Sequence, residues 1–327
     1  MKKHFAFRGW GLGPVLFAAA VAASYPASAQ QSFKGPIRIV VSSAPGAGID
    51  LVARVLGPHL SKELGQTVVI ENKPGANGMI AAQQVMAAPP NGTMILCTVD
   101  HTMIVLPATT PDVKFKASTD FTALGHAAKT YWTLVAPAQA GYGSFRDYVG
   151  ALQREPLLRS YGAPWNGGAP TAVGSAVGKY ANVKMVEVPY LGSGPVLQNV
   201  LAGQVPAGTM GMPGAVNVHR TGKAKVLAVT GSARSPRMPD VPTFKELGVA
   251  GLESVTTIVS FFGPRDMPPA MAQEFNAALR KALANPDIEE KFAGQTPAPT
   301  TLEEVKQDVI ELEQFWKNLH ASQQPAR

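Results

Sequence analysis

The sequence predicts an α/β fold with two lobes, each built on a mainly parallel sheet flanked by helices. The chain has 327 residues, a length that favours two domains. Short β-branched and apolar runs alternate with segments of helical periodicity, which is the pattern of strands and helices in parallel sheets. From about Met267 the pattern is helical and lacks strands, so this tail is expected to pack back onto the first lobe.

The N-terminus has the composition of a signal peptide. Lys2, Lys3 and Arg8 precede an apolar run, and Ala27-Ser28-Ala29 has the small-residue pattern that signal peptidase accepts. We therefore expect residues 1–29 to be removed after Ala29 and the mature chain to be periplasmic. A retained anchor helix is the alternative, although the apolar run is short for a bilayer span.

The charge distribution argues against a nucleic-acid partner, and the cysteine content excludes an intrachain disulfide. The formal net charge is +7, three of the bases lie in the N-terminal segment, and no concentrated basic tract follows, so no nucleic-acid partner is expected. The single cysteine, Cys97, lies in an apolar run, which predicts a buried strand thiol and excludes an intrachain disulfide.

The elements follow in a strand–loop–helix order, and the chain crosses between the lobes at least twice. The first lobe is predicted to contain strands at Ile37–Val41, Thr67–Glu71 and Thr93–Val99, with helices from near Asp50 to Leu64 and over Met79–Ala88. The second is predicted to contain strands at Tyr131–Ala136, Leu158–Tyr161, Val183–Val188 and Val226–Thr230, with helices over Phe145–Gln153, Pro170–Tyr180 and Gly194–Ala202. The tail carries helices over Ala272–Leu283 and Leu302–Leu319. Lobe one is thus residues 30–130 plus 256–327, and lobe two is residues 131–255.

Each lobe contains a strand that runs into a glycine-rich loop and then into a helix. These loops are Ser43–Ile49 and Ala163–Thr171. Backbone N–H groups and the positive end of the helix dipole converge at such a loop, so an anion binds there without a lysine or arginine. If the two loops face each other, they hold one carboxylate from both sides. The alternative is that the glycines only form tight turns between strand and helix.

Several motifs, taken in order, resemble one receptor family. They are Pro45–Asp50, Leu64–Gly78, Val188–Pro195, Gly203–Val205, Gly222–Ser235 and Pro239–Thr243. Together they are similar to the Bug (TctC-like) receptors of tripartite tricarboxylate transporters. The resemblance implies a two-lobe type II periplasmic-binding-protein fold that closes like a flytrap. It also implies a small carboxylate as ligand, held by backbone amides, and membrane transporter subunits as partners. No cofactor and no metal are expected, and the chain is expected to be a monomer.

The resemblance also implies the ligand contacts. In lobe one they are Ala44, Pro45, Gly46, Ala47, Gly48 and Asp50, with Thr98, Asp100 and Thr102 lining the far end of the pocket. In lobe two they are Ala163, Asn166, Gly167, Gly168 and Thr171, and Trp165 stands at a position that is typically small in the family. The chain departs from the family at Ala47, Ile49, Leu191, Pro206 and in the Gly167–Thr171 segment, where hydroxyl and imidazole donors are lost. These departures predict a more apolar pocket for an aromatic or otherwise hydrophobic monoacid, on which Trp165 stacks. The alternative is that Trp165 is a lid residue that packs on protein.

Three functional classes remain open, and the transport receptor is the first of them. A secreted α/β enzyme is disfavoured because the sequence has no Gly-x-Ser-x-Gly elbow, P-loop or His-Glu-x-x-His motif. The adjacent pair Asp100-His101 is a weak catalytic candidate, and Asp50 is a candidate helix N-cap as well as a ligand discriminator. A sensor subunit that presents the closed lobes to a signalling receptor is the third alternative.

Overall fold

The computed structural model describes Met1 and residues 33–323, and the strands in this part of the chain form one mixed sheet of ten. The predicted signal peptide, Met1 apart, lies outside the described residues. The strands are β1 Ile37–Val41, β2 Val68–Asn72, β3 Met94–Val99, β4 Phe121–Pro137, β5 Ser160–Ala163, β6 Val186–Pro189, β7 Gly208–Gly211, β8 Ala224–Val229, β9 Thr256–Pro264 and β10 Thr296–Pro297. Their order is β2-β1-β3-β9-β4-β7-β5-β6, and β8 and β10 each pair with β4.

Helices cover the sheet and connect its strands. They are α1 Gly48–Leu64, α2 Met79–Met86, α3 Leu106–Thr109, α4 Ala117–Asp120, α5 Phe145–Arg154, α6 Gly168–Ala181, α7 Ser193–Leu201, α8 Met212–Arg220, α9 Pro269–Leu283, α10 Asp287–Lys291 and α11 Leu302–Gln323. Short 3₁₀ turns lie at Ala76–Gly78 and Pro156–Arg159, and a π-helical turn at His101–Val105. None of the helices in the described part of the chain is long and apolar enough to cross a membrane.

The first lobe contains the predicted parallel β-α-β-α-β unit. Strand β1 pairs in parallel with β2 on one side and with β3 on the other. Its β-branched residues are buried on both faces, as expected for a central parallel strand. Helix α9 packs against α1 and β4, and α11 packs against α3 and β4, so the tail does fold back onto the first lobe. Cys97 is fully buried in β3, and burial raises the pKa of its thiol, which confirms the predicted strand thiol.

Strand β4 passes from one lobe to the other. It pairs with β9 from Phe121 to Tyr131, and with β7 and β8 from Trp132 to Pro137. Beyond it, β5 pairs in parallel with β6 and β7. The parallel strands therefore lie in the outer parts of the sheet, and antiparallel pairs of β4 and β9 join them at the centre.

The hydrophobic cores follow the same division. Two clusters draw on residues 33–128 and 259–316, and two others on residues 131–255. No described cluster mixes the two sets. This distribution is the one expected for lobes that bury their apolar faces separately, and the boundaries at 130/131 and 255/256 stay a prediction.

Four strand assignments differ from the sequence prediction. Only the second half of β4 was predicted, because its first half is rich in small residues and its register shifts near Gly125 and Ala128. Strands β7 and β9 were not predicted. Strand β7 is glycine-rich and forms because its neighbours pair with it. Strand β9 has a β-branched and aromatic run, which was a strand signal in the sequence. The expectation of a tail without strands is wrong, because β10 pairs with β4.

Candidate ligand-binding site

The loop between β1 and α1 exposes backbone at the start of a helix. Ala44, Pro45 and Gly46 are exposed, and Ala47 and Gly48 are partly exposed. Helix α1 begins at Gly48 rather than near Asp50, and its N-cap residue, Ala47, has no capping side chain. The N–H groups of a first helical turn have no partner within the helix, so they are free to bind an anion.

Asp50 holds this loop in place from inside the first turn of α1. It is 2% exposed, and its carboxylate accepts hydrogen bonds from the Gly46 N–H at 2.8 Å, Arg54 Nε at 2.9 Å and Asn72 Nδ2 at 2.8 Å. Burial alone would raise the pKa of this carboxyl, but the hydrogen bonds from Arg54, Gly46 and Asn72 outweigh burial and lower it. Asp50 is therefore not the N-cap. Its oxygens are occupied, and a direct contact with ligand stays a prediction.

Side chains from the ends of β1 and β3 form the floor behind this loop. The buried Thr98 donates to the Ser42 hydroxyl at 2.8 Å, and Thr102 Oγ1 donates to the Asn77 carbonyl at 2.8 Å. Gly78 lies between Ser42 and Thr102: a Cβ there would lie 2.6 Å from Thr102 Oγ1 and 3.0 Å from Ser42 Cβ. Predicted residues Thr98 and Thr102 thus lie together in lobe one, next to the β1–α1 loop.

In lobe two, the loop between β5 and α6 likewise joins the end of a parallel strand to the start of a helix. Ala163 is buried at the end of β5, and α6 begins at Gly168. Gly167 and Gly168 have φ of +85° and +68°, a region that favours glycine. The Gly167 N–H donates to Thr171 Oγ1 at 2.8 Å, so this amide is used within the loop.

Asn166 and Thr171 lie at a cavity of lobe two that the β1–α1 loop does not line. The cavity has a volume of about 410 Å³ and is also lined by Tyr161 and Glu187. Thr171 Oγ1 and Tyr161 Oη donate to the same Glu187 oxygen at 2.5 and 2.7 Å. The hydroxyl of Thr171 is therefore engaged on its own lobe, and contacts of Asn166 and Thr171 with ligand stay predictions.

Two adjacent residues, His101 and Thr102, connect the two lobes. Thr102 belongs to the floor of lobe one, where its hydroxyl donates to the Asn77 carbonyl. The His101 ring lies 5.1 Å from the ring of Trp165, and a Cβ at Gly168 would lie 3.2 Å from His101 Nδ1. The predicted sites of the two lobes are therefore joined through one short turn that follows β3.

Burial favours the uncharged form of both Asp100 and His101. Burial raises the pKa of Asp100 to about 7, although its carboxylate accepts N–H bonds from Ile258 and His101, which act in the opposite direction. Burial lowers the pKa of His101 to about 3. Sequence reasoning weighed His101 only as half of an acid–imidazole pair. Its position directly after Asp100, in a predicted pocket segment, was the signal for a role at the site.

A second cavity of lobe two lies away from these loops. A cavity of about 710 Å³ in lobe two is lined by Ser144, Arg146, His219, Lys225 and Asp240 among others, and by none of the predicted ligand contacts. Within residues 33–323, no three His, Cys, Asp or Glu side chains are grouped so that they could hold a metal ion.

Comparison with known proteins assigns the chain to a family. Residues 52–320 match the family model described as TctC, tripartite tricarboxylate transporter family receptor. A UPF0065 protein encoded in the gbd 5′ region of Cupriavidus necator is 31% identical over 297 residues, which are 89% of this chain and 88% of that protein.

Solved structures agree with this match. MatC from Rhodopseudomonas palustris, solved with bound malate, is 28% identical with a TM-score of 0.78, over 88% of this chain and 100% of MatC. The periplasmic binding protein BugD is 26% identical with a TM-score of 0.79, over 88% of this chain and 97% of BugD. The predicted two-lobe periplasmic-binding-protein fold is confirmed. The chain therefore belongs to the TctC family of periplasmic solute-binding receptors of tripartite tricarboxylate transporters, which are not enzymes.

Proposed function

We propose that the chain captures a small carboxylate in a cleft between its lobes and delivers it to a tripartite tricarboxylate-type membrane transporter. The single observation that carries the proposal is the turn at His101 and Thr102. It contacts the floor of the lobe-one loop on one side and Trp165 and Gly168 on the other. The binding of malate by the related MatC supports a carboxylate as the ligand class.

The two helix starts supply the binding groups. Helices α1 and α6 both begin with glycine, at Gly48 and Gly168, just beyond the carboxyl ends of parallel strands. Ligands of open α/β sheets bind at this edge. Each hydrogen bond to a charged group contributes about 1.5–3 kcal/mol, so three or four of them support micromolar binding after the cost of ordering the ligand.

Delivery to the transporter follows from closure. A ligand that contacts both lobes gains those contacts only when the lobes are close, so it shifts the population toward the closed form. The membrane partner then recognises a surface that exists mainly when ligand is bound. Carboxylate uptake by cells that carry the transporter, with and without this chain, tests this step; equal uptake would contradict delivery.

Gly48 offers a direct test of ligand binding by the backbone N–H groups at the helix starts, the amide cradle. The preceding residue, Ala47, is extended, and Pro is well tolerated at the first position of a helix, so Gly48→Pro removes one N–H while the helix is retained. Gly48→Ala keeps the N–H, and its Cβ would lie 3.7 Å from Gln295, an ordinary contact. Calorimetry of the mature chain with mono-, di- and tricarboxylates identifies the ligand.

We expect Gly48→Pro to weaken binding of that ligand by about tenfold or more and Gly48→Ala to change it by less than about threefold. Mass spectrometry should recover one unchanged ligand per chain. Equal affinity of Gly48→Pro and the unsubstituted chain would refute the cradle, and a chemically altered ligand would favour an enzyme.

A further inference from the structure

Three buried nitrogen atoms lie where the two lobes contact each other. His101 is 4% exposed, and among the described residues neither of its ring nitrogens has a hydrogen-bond partner. The indole nitrogen of Trp165 is also buried and without a partner there. A Cβ at Gly168, the first residue of α6, would lie 3.2 Å from His101 Nδ1 and 3.8 Å from Trp165 Nε1. Buried polar atoms are nearly always paired, so these nitrogens indicate a polar group that binds beside the start of α6.

A neighbouring tryptophan shows the usual arrangement of a buried indole. The ring of Trp132 packs edge-on against the ring of Trp165 at 5.2 Å, and its N–H donates to Thr257 Oγ1 at 2.9 Å. Buried indole N–H groups generally find such a partner within the protein. The Trp165 N–H finds none within residues 33–323, so it is left for a partner from outside the chain.

The two unpaired side chains belong to different lobes. His101 follows β3 of lobe one, and Trp165 lies in the loop between β5 and α6 of lobe two. Their rings are 5.1 Å apart, and the Trp165 side chain is partly exposed. Separation of the lobes would open all three nitrogens to the cleft. A ligand that pairs them therefore gains these hydrogen bonds together only when the lobes close.

The hydrogen-bonding capacity of the two rings defines the group that they need. Burial lowers the pKa of His101, so its imidazole is neutral and has one N–H donor and one acceptor, whichever nitrogen carries the proton. The indole of Trp165 adds one donor. A carboxylate accepts from both donors, but it has no hydrogen for the imidazole acceptor. A hydroxyl group supplies that hydrogen and also accepts, so a carboxylate with a hydroxyl nearby pairs all three nitrogens.

We propose that His101 and Trp165 recognise a hydroxyl group of the ligand and make the chain selective for hydroxycarboxylates over the same acids without the hydroxyl. This inference rests on the proposed function: the amides at the helix starts bind the carboxylate, and the hydroxyl lies beside Gly168. The hydroxyl accepts the indole N–H and donates to the imidazole, and a second ligand oxygen accepts the imidazole N–H. This ligand class replaces the apolar monoacid that the sequence predicts, because an apolar acid would leave the buried nitrogens unpaired.

The experiment compares acids that differ only by the hydroxyl. Calorimetry of the mature chain is done with four pairs: lactate and propionate, mandelate and phenylacetate, malate and succinate, and citrate and tricarballylate. Charge is the same within each pair and size nearly so, so the ratio of the two affinities isolates the hydroxyl. A site built to bind a hydroxyl rejects the analogue that lacks it, because its own polar groups stay unpaired. We expect the hydroxy acid of the best-bound pair to bind at least about tenfold more tightly than its partner.

Substitutions separate recognition of the hydroxyl from simple packing. Trp165→Phe keeps an aromatic ring without the N–H, and His101→Phe keeps a flat ring without either nitrogen. We expect each to lower the affinity ratio by about fivefold or more. His101→Gln keeps one donor group and one acceptor and should retain more of the ratio than His101→Phe. Trp316→Phe is the matched control and should leave the ratio unchanged, because Trp316 lies on α11 and packs against a different core.

Thermal unfolding shows which variants fold, and either folded Phe variant at these two positions is sufficient for the test. Equal affinities within the best-bound pair, tighter binding of the acid without the hydroxyl, or an unchanged ratio in the folded variants would overturn the inference. The Gly48→Pro variant distinguishes this failure from failure of the proposed function. If an acid without the hydroxyl binds best and Gly48→Pro weakens it, the carboxylate receptor stands and only the recognition of a hydroxyl is wrong. If no carboxylate binds, both fail.

Discussion

The Asp50 carboxylate accepts a 2.8 Å hydrogen bond from the Gly46 N–H, so a residue inside helix α1 holds the loop that precedes that helix. Arg54, one turn further along α1, donates to the same carboxylate, and Asn72 donates to it from the end of β2. The shape of the lobe-one loop is therefore set by one buried acid and its three donors.

Loss of this acid should destabilise the protein. We expect Asp50→Ala to lower the free energy of unfolding at pH 7 by about 2–3 kcal/mol. Most of this loss comes from the hydrogen bonds that Gly46 and Asn72 donate to Asp50. Arg54 contributes less, because it is half exposed and its ion pair is screened. Urea denaturation measures the loss, with Asp112→Ala at an exposed acid as the control. Because the pKa of Asp50 is lowered by folding, the difference between Asp50→Ala and the unsubstituted chain should shrink as the pH falls below about 3.9.

Asp100 and His101 should have opposite effects on the pH dependence of stability. Folding raises the pKa of Asp100 to about 7, so between about pH 3.9 and 7 its contribution to stability falls as the pH rises. Folding lowers the pKa of His101 to about 3, so between about pH 3 and 6.5 its contribution rises with pH. In the ligand-free chain the two contributions largely cancel between about pH 4 and 6.5.

Single substitutions should reveal these opposite changes of the unfolding free energy with pH. Relative to the unsubstituted chain, Asp100→Asn should gain stability as the pH rises through this window, and His101→Gln should lose it. Each slope is at most about 1.4 kcal/mol per pH unit. Urea denaturation from pH 4 to 7 measures both. Parallel curves for the two variants would show that the pair does not titrate as the structure indicates.

Gly174 in helix α6 packs directly against the ring of Tyr161. A Cβ at this position would lie 2.0 Å from the ring, which neither residue can accommodate without a shift. We expect Gly174→Ala to destabilise the protein by about 1–3 kcal/mol. Gly150→Ala in α5 is the matched control: its Cβ would meet only Arg154 at 3.5 Å, so higher helix propensity should make it neutral or stabilising by up to about 1 kcal/mol. Equal thermal stabilities of the two variants would refute this packing.

Trp132 and Thr257 join β4 and β9 where the chain crosses between the lobes. Trp132 on β4 donates from its indole N–H to Thr257 Oγ1 on β9 at 2.9 Å, and both residues are buried. Thr257→Val leaves the N–H unpaired and should cost about 1–3 kcal/mol of unfolding free energy. In a Trp132→Phe background the same change should cost much less. A double-mutant cycle with a coupling near zero would argue against the bond.

Much of the architecture was predictable because local residues determine it. The β-branched runs of β1 and β3 form parallel strands, Gly65 ends α1 in a left-handed conformation, and Gly167 and Gly168 form the loop before α6. The start of α1 and the first half of β4 were less predictable. In both, hydrogen bonds to distant segments decide the boundary, and the local composition carries little strand or helix signal.

By itself, the sequence determined most of the strands and helices, the two glycine-rich loops and membership of the receptor family, because each depends on residues that are neighbours along the chain. Only the tertiary structure decided that His101 of lobe one contacts Trp165 of lobe two, and that the Thr171 hydroxyl is engaged by Glu187. The reason is physical. Such contacts depend on how β4 and β9 position the lobes and how β5 and β6 pair, and no local periodicity encodes these placements.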